Sequence, residues 1–375
     1  MDNNRLQILN NARRIVIKAG SGVLTGRRGL NATTLKAISM GISALMDRKL
    51  EVIYVSSGAM AAGEKKLGLT RRPTELPQRQ AVAATGQAGL MMEYEKAFGR
   101  FGRKVAQILL TSDDLTNRKR YLNARNTINT LLSWKVVPII NENDTVATEE
   151  IKLGDNDNLA AMITLLMDAD ILINLTDIDG LYDKDPRRDS GAKRLDYVSA
   201  VSLKLEQAAG EIPGPLGRGG MLSKVKAAKK LMAAGVPMII ANGLNQNILL
   251  DLFEGTETGT FFEPKPHKMS CRKRWIAFSV KTKGEITVDD GAAVAVSNRG
   301  KSLLSSGIIS VKGDFNVGAP VTIKDRTGKV LATGLVNYSA GDIRSIMGLK
   351  SGQIENKLGY KPYDEIIHRN NLVLC

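Results

Sequence analysis

The chain has 375 residues, of which 43% are hydrophobic and 24% charged, and its formal net charge is +15. This length suffices for a large buried core and for two domains, and the composition excludes an intrinsically disordered protein. No apolar run is long enough to cross a bilayer, and the polar N-terminal segment lacks a secretory apolar region. Cys271 and Cys375 lie far apart, which is typical of a reducing compartment without disulfides. We therefore expect a cytoplasmic protein.

The first 255 residues predict one α/β domain. Short apolar runs typical of buried strands occupy residues 13–18, 51–56, 104–110, 135–140, 170–175 and 236–241. Helical patterns lie between them, as in TTLKAISMGISALMDRK and MLSKVKAAKKLMAAG. Strands that alternate with helices predict a mainly parallel central sheet covered on both faces, which is a three-layer αβα sandwich.

The pattern changes beyond residue 255. Prolines, glycines and a basic run predict a linker over 256–281. Short alternating strands with turn residues, such as Asp325–Gly328, predict a small β-barrel-like domain over 282–361. We expect residues 362–375 to form a C-terminal tail.

Lys18 opens a glycine-rich motif at the carboxyl end of the first predicted strand. Gly20, Gly22 and Gly26 permit close approach of the backbone to a phosphate. The dinucleotide-binding fingerprint fails, because Thr25 stands where its third glycine is required. Ligands bind at this edge of open α/β sheets, but a solvated lysine at a strand end is an equally good interpretation.

Two further segments offer groups for binding an anion. Ser56, Ser57 and Gly58 follow the second predicted strand, although a strand-to-helix turn with a serine cap explains them equally well. The glycine-rich segment 211–224 opens a predicted helix, and helix N-termini attract anions. Lys224 in the first turn of that helix is mildly unfavourable for the helix itself, which favours anion binding.

Thr176 and Asp177 end the fifth predicted strand. Their polar groups suit a nucleoside at the carboxyl edge of the sheet. A simple turn, signalled by Asp179-Gly180, is the alternative interpretation.

Residues 141–158 hold six acidic residues against one lysine, in a chain that is strongly basic overall. Asp155 to Asn158 precede an apolar helical pattern, and a helix N-terminus favours acidic and asparagine side chains. One cap explains one or two of these acids. The others indicate a metal, buried lysines or a substrate amine.

Six motifs occur in a fixed order along the chain. They are Lys18-Ala-Gly-Ser, Ser56-Ser-Gly-Ala, Ile140-Asn-Glu-Asn-Asp144, Gly154-Asp-Asn-Asp-Asn158, Thr176-Asp177 and Arg218-Gly-Gly-Met-Leu-Ser-Lys224. Together they resemble the motifs of the glutamate 5-kinases in the amino-acid kinase family. The resemblance covers almost the whole chain, and its C-terminal part is similar to a PUA domain, a small β domain known for RNA binding.

The resemblance implies ATP-dependent phosphorylation of the γ-carboxylate of L-glutamate, the first step of proline biosynthesis, with Mg²⁺ accompanying ATP. It also implies a homo-oligomer and feedback inhibition by proline, whereas RNA binding by the PUA-like part stays open. A carboxylate acceptor is already ionised at neutral pH, so no general base is required. The scarcity of histidines, His267 and His368 only, is therefore no objection.

The resemblance also implies roles for individual residues. Lys18 and Lys224 would contact the transferring phosphoryl group, and Asp155, together with Asp157, would orient the lysines and the substrate amine. L-Glutamate would be held by Ser57, Asp144 and Asn156. ATP would be held by Lys18, Thr176, Asp177, Arg218, Gly219, Gly220, Met221, Leu222, Ser223 and Lys224. No residue is assigned as a direct metal ligand.

The motifs depart from the family pattern at a few positions. The first motif usually reads Lys-Leu-Gly-Thr-Ser, so Ser21 keeps a hydroxyl whereas Gly22 lacks one. Arg218 stands where the nucleotide loop usually has threonine, and Ser223 keeps the hydroxyl that precedes the loop lysine. These departures bear on the affinity for ATP rather than on the reaction.

Two other functions are compatible with the sequence. One is an RNA-binding protein with a kinase-like scaffold, which the net charge, the basic run 272–274 and the PUA-like part favour. The complete set of kinase motifs argues against it. The other is a kinase for a different acceptor, such as aspartate or N-acetylglutamate, against which the substrate motifs and the attached β domain argue.

Overall fold

The computed structural model describes residues 2–26, 29–71, 73–146, 156–186, 189–210, 220–266, 269–278 and 282–374. The chain divides into two compact units, Met1–Lys268 and Met269–Cys375. No helix among the described residues has the length and apolar character needed to span a membrane.

The first unit contains strands and helices in alternation. Its strands are β1 (Arg14–Ala19), β2 (Thr25–Gly26), β3 (Gly29–Leu30), β4 (Glu51–Ser56), β5 (Val105–Leu110), β6 (Val137–Glu142), β7 (Ile171–Thr176), β8 (Tyr197–Val198), β9 (Met238–Asn242) and β10 (Thr260–Phe262). Its helices are α1 (Asp2–Asn11), α2 (Ser21–Leu24), α3 (Ala32–Asp47), α4 (Ala59–Lys66), α5 (Leu76–Gly99), α6 (Ser112–Thr116), α7 (Arg118–Ser133), α8 (Asn156–Leu166), α9 (Leu203–Gly210), α10 (Met221–Ala233) and α11 (Ile248–Phe253).

An eight-stranded sheet forms the centre of this unit, in the order β5-β6-β4-β1-β7-β9-β10-β8. Every neighbouring pair is parallel except β9 and β10. The mainly parallel sheet predicted from the sequence is confirmed. Six neighbouring strands, β5, β6, β4, β1, β7 and β9, run in the same direction. Their carboxyl ends therefore lie along one edge of the sheet.

Strand alternation assigns the side chains of β1 and β7 to two different faces. Ile15, Ile17 and Ala19 join the core shared with α3, α5 and α11. The intervening residue Lys18 therefore lies on the opposite face, where α8 contacts β1, β4, β6 and β7. Asn174 is the register partner of Lys18 on β7 and shares that face.

The second unit has its own sheet and its own core. Its strands are β11 (Gly284–Val288), β12 (Ile308–Lys312), β13 (Pro320–Lys324), β14 (Val330–Leu335) and β15 (Leu372–Leu374), and its helices are α12 (Cys271–Phe278), α13 (Asp290–Ser297), α14 (Ala340–Ile346) and α15 (Ile354–Leu358). The strands form a mixed sheet in the order β12-β11-β13-β14-β15.

The observed boundaries differ from those predicted at two places. The segment 256–281, predicted as a linker, contains β10, whose Phe261 and Phe262 are buried in the first unit, and α12, which contacts β14 and β15 in the second. The segment 362–375, predicted as a tail, supplies β15, which pairs with β14. Both differences have the same cause, since prolines, glycines and charges surround apolar stretches that are too short to be recognised as buried elements from the sequence.

Candidate active site

The N-terminus of α8 lies at the carboxyl edge of the sheet and begins with two polar residues of different surroundings. Asn156 is partly buried, whereas Asp157 has no exposed surface. Each organises its own set of hydrogen bonds, which we call the Asp157 cluster and the Asn156 cluster.

In the Asp157 cluster, four donors surround one carboxylate. Lys18 forms an ion pair with Oδ1, and Asn174 donates to the same oxygen over 2.7 Å. Lys224 and Ser223 reach Oδ2, with Nζ at 3.1 Å and Oγ at 2.5 Å respectively. The carboxylate therefore holds two lysine ammonium groups, one from β1 and one from α10, beside each other.

This cluster is deeply buried, since Lys18 is 3% exposed and Lys224 is 5% exposed. Burial by itself raises the pKa of Asp157, but the charges of Lys18 and Lys224 outweigh it and hold that pKa well below its ordinary value. Buried ion pairs recover their desolvation cost only with good geometry and rarely stabilise a fold. Two ammonium groups and one carboxylate leave one net positive charge, which suits an incoming polyanion.

The glycine turns let the two lysines reach this position. A Cβ at Gly20 would lie 3.3 Å from Nζ of Lys18, so the turn after β1 leaves space for the ammonium group. Helix α10 begins after Gly220, and no side chain among the described residues caps its N-terminus. Its first turn carries both Ser223 and Lys224, and its N–H groups add to the positive potential there.

The Asn156 cluster consists of neutral groups. The Asn156 amide nitrogen donates to Oγ of Ser57 over 2.8 Å, to Oδ1 of Asn141 over 2.9 Å and to the carbonyl of Ser56 over 3.1 Å. A carbonyl oxygen only accepts hydrogen bonds, so the contact with Ser56 fixes which side of the amide carries the nitrogen.

That orientation leaves the other atom of the amide without a donor. Oδ1 of Asn156 is buried and has no hydrogen-bond partner among the described residues. A buried acceptor in this state costs free energy until a donor reaches it. An N–H group of a ligand, such as an ammonium group, would supply that donor.

Two neighbouring strands complete this side of the site. Ser57 directly follows β4, and Asp144 lies two residues beyond the end of β6. Strands β4 and β6 are parallel neighbours, so both residues lie at the same sheet edge. The Asn156 cluster therefore lies toward β4 and β6, whereas Lys18 and Asn174 of the Asp157 cluster lie on β1 and β7.

Thr176 and Asp177 lie at the end of β7, next to the turn after β1. The Thr176 hydroxyl donates to Oδ1 of Asp177 over 3.2 Å. A Cβ at Gly22 would meet the Asp177 carboxylate at 3.1 Å, so the absence of a side chain at Gly22 makes space for Asp177. Any residue with a Cβ at this position would require the Asp177 carboxylate to shift by a few tenths of an ångström.

A sequence profile described as the amino acid kinase family matches residues 13–242. The chain belongs to the amino acid kinase family. A profile of the PUA domain matches residues 284–358, in the second unit.

Among curated members of this amino acid kinase family, similar chains extend over the full length. A glutamate 5-kinase of Syntrophus aciditrophicus (strain SB) is 51% identical over 374 residues, which cover 100% of this chain and 97% of the relative. A glutamate 5-kinase of Geobacter sulfurreducens is 50% identical over 371 residues, covering 99% of this chain and 100% of the relative. The predicted family and its C-terminal PUA domain are confirmed.

A solved structure shares the fold of the kinase unit. Carbamate kinase from Giardia lamblia bound to AMP-PNP superimposes with a TM-score of 0.50 at 15% identity, covering 68% of this chain and 100% of that chain. At this identity the similarity concerns the fold alone.

The predicted site residues of this amino acid kinase fall into three groups. The structure brings Lys18, Ser223 and Lys224 together around Asp157, and it brings Ser57 and Asn156 together. Asp144, Thr176, Asp177, Gly220, Met221 and Leu222 lie at the same sheet edge or at the start of α10. Asp155, Arg218 and Gly219 lie outside the described residues.

Sequence reasoning gave too little weight to three residues. It gave Asp157 the same role as Asp155 and no greater weight, because a helix cap explains both equally well in sequence. It missed Asn174, although a single amide inside the apolar strand ILINLT was a usable signal, since buried polar groups need a partner. Asn141 lay within the acidic motif but was given no role.

Proposed function

We propose that this chain transfers the γ-phosphoryl group of ATP to the γ-carboxylate of L-glutamate, giving L-glutamyl 5-phosphate. The observation that carries the proposal is the pairing of the two clusters at the first turn of α8. One supplies buried positive charge for a phosphoryl group, and the other supplies neutral acceptors for an amino acid. Relatives about half identical over the full chain are named glutamate 5-kinases, which supports the same reaction.

Lys18 and Lys224 stabilise the charge on the transferred group. Transfer from ATP places negative charge on the equatorial and leaving oxygens of the phosphoryl group. Two ammonium groups fixed in advance by Asp157 need no reorganisation when that charge develops. Thr176, Asp177 and the start of α10 are proposed to hold ATP on the β7 side, so that its terminal phosphate reaches the lysines.

The amino acid is held on the β4–β6 side. Asn156 offers its buried Oδ1, and Asp144 offers a carboxylate, to the α-ammonium group of glutamate. Ser57 offers its hydroxyl proton, because its own N–H already donates to the carbonyl of Ala19. Asn156 and Asp157 are consecutive, so binding of the ammonium group at Asn156 places the γ-carboxylate of glutamate beside the lysines. Positioning of this kind accounts for much of the rate enhancement of such reactions.

Mg²⁺ is proposed to arrive with ATP. Mg²⁺ is usually bound by substrate phosphates, waters and one or two carboxylates, and the described residues form no group of three or more acidic, histidine or cysteine side chains that would hold a metal by themselves. A site with few protein ligands fits an ion held mainly by the nucleotide phosphates. Bound there, the ion would neutralise phosphate charge alongside the lysines.

The family resemblance extends the proposal beyond the reaction. A cytoplasmic location, a homo-oligomer and inhibition by proline belong to the same proposal. RNA binding by the PUA domain would be an additional activity of the second unit.

An ADP-release assay tests the reaction directly. The full chain is incubated with ATP, Mg²⁺ and one acceptor from a panel of L-glutamate, L-aspartate, N-acetyl-L-glutamate and D-glutamate. We expect ADP release only with L-glutamate, and hydroxylamine should trap the acyl phosphate as a hydroxamate. Faster release with another acceptor, or binding of tRNA without any turnover, would contradict the proposal.

A further inference from the structure

Three buried hydroxyl groups connect helix α5 to the turn that carries Ser57. Tyr54 and Ser56 lie on β4, Tyr94 lies on α5, and each of them is completely buried. The Ser56 and Tyr94 oxygens are 2.6 Å apart, and the Tyr94 and Tyr54 oxygens are 3.1 Å apart. Ser56 also donates to the carbonyl of Ser57 over 2.8 Å. The three contacts form a continuous row from Tyr54 through Tyr94 and Ser56 to the carbonyl of Ser57.

This chain of hydroxyls reaches the turn from the face of the sheet opposite the lysines. Tyr54 and Tyr94 belong to the core formed with α3 and α5. From the other face, Asn156 donates to the carbonyl of Ser56 and to the hydroxyl of Ser57. The backbone between Ser56 and Ser57 is therefore held from both faces of the sheet.

The turn needs this support because its backbone is unusual. Gly58 has a φ of +113°, a conformation that residues with side chains rarely adopt. It is the N-cap residue of α4, and no side chain in the described part of the chain caps that helix. Glycine itself contributes no side-chain contact, so neighbouring groups must determine the direction of Ser57.

The tyrosines suit this role chemically. Burial raises the pKa of Tyr94 to about 12, so its hydroxyl stays protonated at neutral pH. The rings of Tyr94 and Tyr54 pack edge to face with centroids 5.4 Å apart, and Phe98 packs against Tyr94 at 6.3 Å. These ring contacts fix the Tyr94 oxygen, and removing only that oxygen leaves them in place.

We propose that Tyr94 is a positioning residue for the amino-acid acceptor, acting through Ser56 on the carbonyl and hydroxyl of Ser57. Tyr94 does not touch the substrate. It determines how well the acceptor turn fits glutamate, and it has no part in the Asp157 cluster. This inference rests on the proposed function, because Ser57 matters here as a glutamate contact.

The test compares Tyr94→Phe with the wild type and with Tyr54→Phe. Tyr94→Phe should raise the KM for L-glutamate about three- to tenfold, while the KM for ATP and kcat stay within about twofold. Tyr54→Phe removes the hydroxyl one contact further from Ser57 and should change the KM for glutamate by less than about twofold. Thermal unfolding of each variant is measured in parallel, because a lost buried hydrogen bond also lowers stability.

A double-mutant cycle with Ser56→Ala shows whether the hydroxyls act in series. If they do, Ser56→Ala and the double variant should raise the KM for glutamate by similar factors, because the first substitution already breaks the connection. Ser56→Ala also stands in for Tyr94→Phe if that variant does not fold. An unchanged KM for glutamate in a folded Tyr94→Phe or Ser56→Ala enzyme overturns the inference. So does a double variant in which the two increases in KM multiply, and so do equal increases in the KM for glutamate and the KM for ATP.

Failure of the proposed function would look different. In that case the wild type itself would release no ADP with L-glutamate. The same KM comparison is then made with whichever acceptor of the panel supports turnover, and an unchanged KM for that acceptor overturns the inference.

Discussion

The two clusters at the start of α8 are one residue apart and differ in nearly every physical respect. The Asp157 cluster holds two lysines and a carboxylate with almost no exposure, whereas the Asn156 cluster consists of neutral amides and hydroxyls. Each cluster includes one buried amide oxygen without a donor among the described residues, Oδ1 of Asn174 in the first and Oδ1 of Asn156 in the second, so the two clusters differ in charge. We therefore expect the first to control the rate of phosphoryl transfer and the second to control the affinity for the amino acid.

The largest effect is expected from Asp157→Asn. The substitution removes the counter-charge of two buried ammonium groups, which should cost roughly 3–5 kcal/mol of stability and lower kcat by about three decades or more. The folded-state pKa of Asp157 lies below its ordinary value of 3.8, so this stabilisation is present above that pH and is lost as the pH falls through the folded-state pKa. Denaturant unfolding should show that the free energy of unfolding of the variant is lower than that of the wild type by a constant amount above about pH 5. This difference should become smaller in stronger acid.

Lys224→Ala comes next. Loss of one group that stabilises transition-state charge typically costs about 3–4 kcal/mol, or roughly two to three decades in kcat, while the KM for glutamate should change much less. Lys226→Ala is the matched control, since that lysine is an exposed residue of the same helix. Near-normal kcat in Lys224→Ala would remove the residue from the mechanism.

Asn156→Ala tests the neutral cluster. It removes the acceptor proposed for the substrate ammonium group, and a hydrogen bond to a charged group is worth about 1.5–3 kcal/mol. The KM for glutamate should rise about tenfold or more, with the KM for ATP nearly constant. Asn158→Ala is the control, because its amide oxygen accepts from Lys230 instead. A change confined to ATP would mean that the two sides of the site have been assigned in reverse.

Asn174→Leu tests how much a neutral donor to Asp157 contributes in comparison with the two lysines. The variant removes one of four donors to Asp157 while keeping both lysines, so kcat should fall only about three- to tenfold. Steady-state kinetics should show an unchanged KM for glutamate. A loss as large as that of Lys224→Ala would show that Asn174 does more than orient the carboxylate.

Removal of the second unit should have the smallest effect on either cluster. All six motifs lie before residue 225, and the first unit is compact by itself. A chain ending at residue 268 should be folded by circular dichroism and release ADP with glutamate within about threefold of the full chain. A folded but inactive product would show that the PUA domain completes the active site.

Much of this molecule could be predicted from its sequence, for identifiable reasons. Buried parallel strands are nearly continuous apolar runs, so β1, β4, β6, β7 and β9 were apparent, and the motif order indicated the family. Sequence patterns did not identify β10, α12 or β15, because each is short and lies among prolines, glycines or charges. They also could not single out Asp157, because the contacts of its carboxylate with Lys18 and Lys224 arise only in the folded chain.

The division of labour between the two clusters is tested most directly by glutamate saturation at saturating ATP, with wild type, Lys224→Ala and Asn156→Ala measured side by side. We expect Lys224→Ala to lower kcat by roughly two to three decades with little change in the KM for glutamate. Asn156→Ala should raise that KM about tenfold or more while kcat changes far less. Equal effects of both substitutions on kcat, or a raised KM in Lys224→Ala alone, would contradict the account.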